Sequence, residues 1–167
     1  QLDACSDGRM FGFTIDKPSG SRARGSFFWL TPLYDDFDGL RLMQVRIEKG
    51  QPFLLETCVR VSSHALLRVA QRGTHTTDLN TNIDHLTSMV MAILVKYATK
   101  KNADMRQAGY CGAVAGWGDV GFFEVFAGDR LTVTLKTYLS ASQVKHPELK
   151  PFANDSKFHF FDDVEAN

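Results

Sequence analysis

Five histidines, His64, His75, His85, His146 and His159, have the widest chemical range in this chain, since an imidazole serves as base, acid or metal ligand near neutral pH. Their spacing gives no local site. No two of them make the HxxxH or HExxH pair that would face one side of a helix, and no serine sits in a G-x-S-x-G turn. A set such as His64 with Cys58 and an aspartate meets only if the fold brings it together, and core or surface histidines are the commoner case. Tyr34 to Gly39, YDDFDG, has the carboxylate density of a calcium loop. With Gly39 at the sixth position, however, Tyr34 falls first and Val45 twelfth, where oxygen ligands are needed. It reads as an acidic turn. No metal or cofactor is expected, and the chain is read as a non-enzyme.

The three cysteines, Cys5, Cys58 and Cys111, form no close CxxC pair. Their spacing fits one bridge and one spare thiol in an oxidising compartment, or three reduced core thiols. The secreted reading is preferred and the pairing stays open. Asn154-Asp155-Ser156 is a glycosylation sequon if the chain is secreted, and an ordinary loop asparagine if it is not.

At 167 residues and 44% hydrophobic content, the chain is sized for one domain. The expectation is a flexible segment at 1–9 followed by a single domain over 10–164. Thirteen Phe beside two Trp and four Tyr favour a sheet core. Basic and acidic residues balance at 19 each, so no global field draws the chain to nucleic acid or to an acidic membrane. No apolar run is long enough to span a bilayer. The sequence begins at Gln1, and the expectation is a processed fragment whose membrane anchor, if it has one, lies outside it.

The elements are read from periodicity. Val120 to Lys136 carries the clearest pattern: a strand from Val120, a break at Ala127-Gly128-Asp129, then Leu131, Val133 and Leu135 alternating with Thr132, Thr134 and Lys136. Met10 to Ile15, Phe27 to Leu30, Leu40 to Ile47, Ala65 to Val69 and Lys157 to Phe161 read as further strands. Phe53 to Val61 places Phe53, Leu55, Thr57, Val59 and Val61 on a core face. Leu54, Glu56, Cys58 and Arg60 then lie on a second, partly polar face. Gly73 to Thr87 reads as a polar loop, Tyr110 to Gly118 as a Gly-rich stretch, and Thr137 to Ser156 as a long irregular one. Leu86 to Ala98 is ambiguous on local grounds. Leu86, Met89, Val90, Ile93 and Tyr97 fall at helical spacing, while Val90, Ile93, Val95 and Tyr97 also suit a strand buried on both faces. Many short strands with frequent turns point to a sandwich or jelly roll.

The order of these pieces resembles the tumour necrosis factor homology domain. Gly50 then Phe53 to Val61, Cys111 ahead of Phe123-Glu124-Val125, Gly128-Asp129-Arg130-Leu131 opening the next strand, and the aromatic Lys157 to Phe161 carry the resemblance. It spans about Leu40 to Phe161 and is most specific over Val120 to Val133. Glu56 stands where the family has an aromatic on the trimer axis, Gln51-Pro52 is inserted after Gly50, and His159 replaces a glycine, so a divergent member is expected.

What the resemblance implies is an all-β fold, a jelly-roll sandwich of two antiparallel sheets, with Met89 to Tyr97 as a strand. It also implies a homotrimer that clusters cell-surface receptors as an extracellular cytokine, either secreted or the ectodomain of a type II membrane protein. Leu54, Glu56, Cys58 and Phe122 would then line the trimer interface, with Glu56 in need of a basic or hydrogen-bonding partner. Arg22, Arg24, Lys145 and His146 would contact receptor. The family often bridges a cysteine at the position of Cys111, with Cys5 and Cys58 as candidate partners here. Two alternatives share the strand rhythm: a complement-type globular recognition head and a viral capsid or fibre jelly roll.

Overall fold

The computed structural model describes residues 10–13, 26–31, 38–48, 51–72, 79–99, 109–127 and 130–164. The expected flexible segment 1–9, the acidic turn at 34–37, His75 and Cys5 lie outside the described residues. The chain divides into two compact units, Gln1–Thr57 and Cys58–Asn167, with one strand running from the first into the second.

The first unit is antiparallel. Strand β1 (Met10–Phe13) pairs with β2 (Ser26–Thr31), and β2 pairs with β3 (Gly39–Glu48). Among its described residues Leu30, Leu42 and Met43 are buried. Strand β4 (Gln51–Ser62) begins in this unit, and residues 51–55 are exposed on both faces of the strand. Phe53 and Leu55, read from parity as core, are therefore surface residues here. The alternation holds only from Val59, where Val59 and Val61 are fully buried.

The second unit is a mixed sheet in the order β4-β7-β6-β5-β8, with β5 at Tyr110–Gly116, β6 at Asp119–Ala127, β7 at Leu131–Ser140 and β8 at His159–Asp162. Strands β5 to β8 pair antiparallel, whereas β4 joins β7 in parallel through Val59↔Val133 and Val61↔Leu135. A parallel pair requires a crossover, and two helices lie between β4 and the rest of this sheet in sequence. The strand-rich character expected from the sequence is present, and the described strands are accompanied by few helices.

Two expected strands are helices. Helix α1 (Ser63–Arg72) contains Ala65 to Val69. Ser62 caps it: its Oγ accepts the Ala65 N–H at 3.1 Å, and its hydroxyl donates to the Lys136 carbonyl at 2.9 Å. Ala65 and Val69, four residues apart, supply the buried stripe. Helix α2 (Leu79–Thr99) takes in both the end of the expected polar loop and Leu86 to Ala98. Leu86, Met89, Val90, Ile93 and Tyr97 are all buried, so the helical spacing wins over the strand implied by the resemblance. Thr87 and Ser88 do not break the helix, because their hydroxyls donate back to the Ile83 and Asp84 carbonyls at 2.8 and 2.9 Å.

Strand register sets which residues face α2, since directly opposed residues share a face and neighbours alternate. Phe123 opposes Leu135, but Phe122 opposes Thr137, so Lys136 is an extra residue on β7. This bulge switches the parity of β7 and puts Tyr138 and Ser140 on the same face as Leu135, Gly121, Phe123 and Asp119. That face meets α2: the Tyr97 and Phe123 rings stack edge to face at 5.5 Å, and a Cβ on Gly121 would collide with Met89. The opposite face carries Ala113, Ala115, Val120 and Phe122. They pack with Val144, Leu149 and Ala153 from the 3-10 turn Ala141–Gln143, the loop after it and the short helix α3 (Lys150–Ala153).

Candidate functional site: a cleft between α2 and the β5–β6 turn

The β5–β6 hairpin closes through Trp117-Gly118, both at positive φ (58° and 89°), as a two-residue turn between twisted strands demands. Glycine takes that conformation freely; a tryptophan there is strained, because its Cβ crowds the following carbonyl. Surrounding backbone holds the turn in place. The Trp117 N–H donates to the Asp155 carbonyl at 2.7 Å, the Gly118 N–H to the Ala153 carbonyl at 2.6 Å, and the Gly118 carbonyl accepts the Ala141 N–H at 2.8 Å. Gly116 is required before it, since a Cβ would collide with the Lys157 carbonyl. The fixed turn leaves the Trp117 side chain 52% exposed.

Beside it opens a cleft of about 250 Å³, lined by Asp84, His85, Ser88, Met89, Gly116, Trp117, Asp119 and Phe158. Asp119, the residue that follows the turn, is only 2% exposed. Its Oδ2 lies 3.1 Å from Nδ1 of His85 on the second turn of α2. An ionised carboxylate only accepts, so the shared proton sits on Nδ1; in the neutral ring this leaves Nε2 as the acceptor. Tyr138, brought to this face by the bulge, hydrogen-bonds Asp119 as well. Burial first, then the Asp119 charge and this bond, push the Tyr138 phenol far above its ordinary value and keep it protonated. The arrangement is a partly exposed imidazole oriented by a buried carboxylate, which is in turn fixed by a buried phenol.

The residues singled out from the sequence lie elsewhere. Leu54 is 62% exposed, and Phe53 and Leu55 beside it are also exposed. Glu56 is held by an ion pair with the buried Arg41 of its own unit, which supplies the basic partner its position called for. Cys58 is half-buried, and burial pushes its thiol up. Phe122 is buried inside the protomer among Ala113, Val120 and Val144. Cys58 and Cys111 are unbridged thiols, so neither is bonded to the other. Arg22 and Arg24 fall outside the described residues. Lys145 is exposed, whereas His146 packs on Phe122, with ring centroids 5.6 Å apart, and lies 3.1 Å from Glu148. Asn154 is exposed just after α3.

Among the described residues no group of three His, Cys, Asp or Glu is arranged to hold a metal ion. Among the described residues, too, no helix is long and apolar enough to cross a membrane. No family model, curated protein or solved structure matches the chain. The cleft is therefore read from its own chemistry.

His85 and Asp119 are 34 residues apart, and no local pattern joins them. The signals that point to them are indirect. Trp-Gly-Asp after a Gly-rich strand marks a turn with an unusual central residue, and His85 lies on the same helical stripe as Met89.

Proposed function

We propose that this chain is a binding protein that takes a small organic ligand in the cleft between α2 and the β5–β6 turn. The observation that carries the reading is the His85–Asp119 pair at 3.1 Å, set in a largely apolar cleft with its carboxylate buried. Fastening α2 to the sheet is a poor explanation for that pair. Met89, Ile93 and Tyr97 already bury the helix, and desolvating the Asp119 carboxylate offsets most of what the hydrogen bond gains. Trp117 adds a backbone conformation costing about 1–2 kcal/mol. Two unfavourable features kept side by side around an open space point to a ligand. Binding is favoured over nucleophilic chemistry because the Ser88 hydroxyl is engaged by the Asp84 carbonyl. A thermal-shift screen of single-ring fragments tests the reading. A true ligand at a hundred times its Kd stabilises the fold by about 2.7 kcal/mol, and Trp117→Ala abolishes the shift. A screen with no hits, or hits unaffected by Trp117→Ala, overturns it.

A second reading is the one the resemblance implies: a divergent member of the tumour necrosis factor superfamily, an extracellular homotrimer that clusters receptors. Exposed Phe53, Leu54 and Leu55 favour it, since adjacent exposed apolar residues mark interaction surfaces. It carries the finer jelly-roll arrangement, a glycan at Asn154 and any disulfide through Cys5. The parallel β4–β7 pair and helix α2 weigh against that arrangement. Light scattering with and without reductant decides. A trimer that persists on reduction supports it, and a monomer removes it.

A further inference from the structure

We propose that the ligand of the cleft is an aromatic ring, recognised by its π-system and not only by its apolar surface; this deepens the reading that the cleft binds a ligand and rests on it. The cleft wall is largely apolar, and Met89, Gly116, Trp117 and Phe158 supply its apolar part. Two of these side chains are aromatic, and Met89 carries a thioether. Aromatic pairs attract through their quadrupoles, edge to face or offset, beyond the area they bury. A thioether sulfur is drawn to an aromatic ring as well. A saturated ring of the same size gains the burial and neither of these terms.

The backbone seats all three groups before a ligand arrives. The β5–β6 turn holds Trp117 at positive φ, with the Trp117 and Gly118 N–H groups donating to the Asp155 and Ala153 carbonyls. Phe158 lies against the bare backbone of Gly116: β5 and β8 pair with Ala115 opposite His159, and a Cβ on Gly116 would come within 3.1 Å of Cδ1 of Phe158. Met89 reaches the sheet at Gly121, where a Cβ would collide with its sulfur. Glycine at both places brings the ring and the thioether down to the strands, and the strained turn does the same for the indole. Groups fixed in this way lose little freedom on binding, which favours a ligand whose shape and electronics match them. Volume limits the ligand further. A cavity of roughly 150 Å³ takes one benzene, so about 250 Å³ takes a single ring with a short arm.

The test is a titration of the full chain with two uncharged probes that carry the same arm, benzyl alcohol and cyclohexylmethanol. Affinity is read by calorimetry, and location by the NMR shifts of the Trp117 indole and the Met89 methyl. The saturated ring is the more hydrophobic of the two, so burial alone favours cyclohexylmethanol. The expected result is the reverse, with benzyl alcohol binding about fivefold more tightly. Phe158→Leu, which keeps an apolar side chain and removes the ring, lowers that ratio to about twofold or less. Should this variant not fold, Met89→Leu, a swap of nearly equal volume, takes its place and also lowers the ratio. If cyclohexylmethanol binds as tightly as benzyl alcohol, or the ratio is unchanged in the variant, an aromatic ring is the wrong ligand class while the cleft remains a binding site. If neither probe moves either resonance, the binding reading itself fails and the aromatic inference falls with it.

Discussion

The two faces of the sheet β4-β7-β6-β5-β8 are covered in different ways. On one, Ala113, Ala115, Val120 and Phe122 meet Val144, Leu149 and Ala153, an apolar patch against apolar cover supplied by short irregular segments. On the other, α2 buries Met89, Ile93 and Tyr97 against Gly121 and Phe123, yet the same face also takes in Asp119 and Tyr138 and leaves a cleft at its turn end. The first face shows what suffices for stability. The second departs from it only around the cleft, with a buried carboxylate, a strained tryptophan and unfilled space. Features that weaken a fold and gather at one opening belong to what the fold is for.

If the first face is pure packing, Phe122→Ala has the largest effect on stability and the least on recognition. A loss of about 4 kcal/mol in chemical denaturation is expected, with fragment affinity unchanged in the fraction that stays folded. Asp119→Ala comes next, at about 3 kcal/mol, because it strands the buried Tyr138 hydroxyl and frees His85. Adding Tyr138→Phe recovers part of that loss, and fragment binding does not return with it. Were the double variant to regain both, the pair would be structural only. Trp117→Gly moves stability the other way: relief of the positive φ gains about 1 kcal/mol while fragment affinity falls. A loss of stability there would mean that the indole packs as core.

The smallest effect is on ionisation. Burial raises the phenols of Tyr97, Tyr110 and Tyr138 well above their ordinary value. A group whose folded value is raised contributes stability that is complete below the unfolded value and is lost as pH climbs above it. For these three that loss begins at about pH 10. Absorbance at 295 nm should therefore show them silent through pH 10 and ionising together with unfolding. With Tyr34, the fourth tyrosine, replaced by Phe, a graded titration near pH 10 would contradict these raised values.

How much of this was legible depended on how local the signal was. The strands β3, β6 and β7 announced themselves by alternation, whereas α2 was ambiguous: the spacing of Leu86, Met89, Val90, Ile93 and Tyr97 suits a helix, Val90, Ile93, Val95 and Tyr97 suit a strand as well, and the family pattern tipped the reading to a strand, which the helix overturns. Helix α1 was missed because Ala65 to Val69 is too short to separate the two periods, although the Ser62 cap and the four-residue step from Ala65 to Val69 were there to find. Parity failed at Phe53 and Leu55 because alternation says which residues share a face and not whether anything covers it. The site was the least visible. His85 meets Asp119 only through the β5–β6 register, and Tyr138 joins them only because Lys136 is an extra residue in β7, a shift that no pattern in Leu131 to Ser140 records.

The central claim is that the cleft, and not the exposed strand at Phe53 to Leu55, is where this protein meets its ligand. The most direct test is intermolecular nuclear Overhauser contacts from the tightest fragment hit. The account predicts contacts to the Met89 methyl and the Trp117 indole, with none to Phe53, Leu54 or Leu55. Contacts confined to those three residues, with Met89 and Trp117 silent, would contradict it.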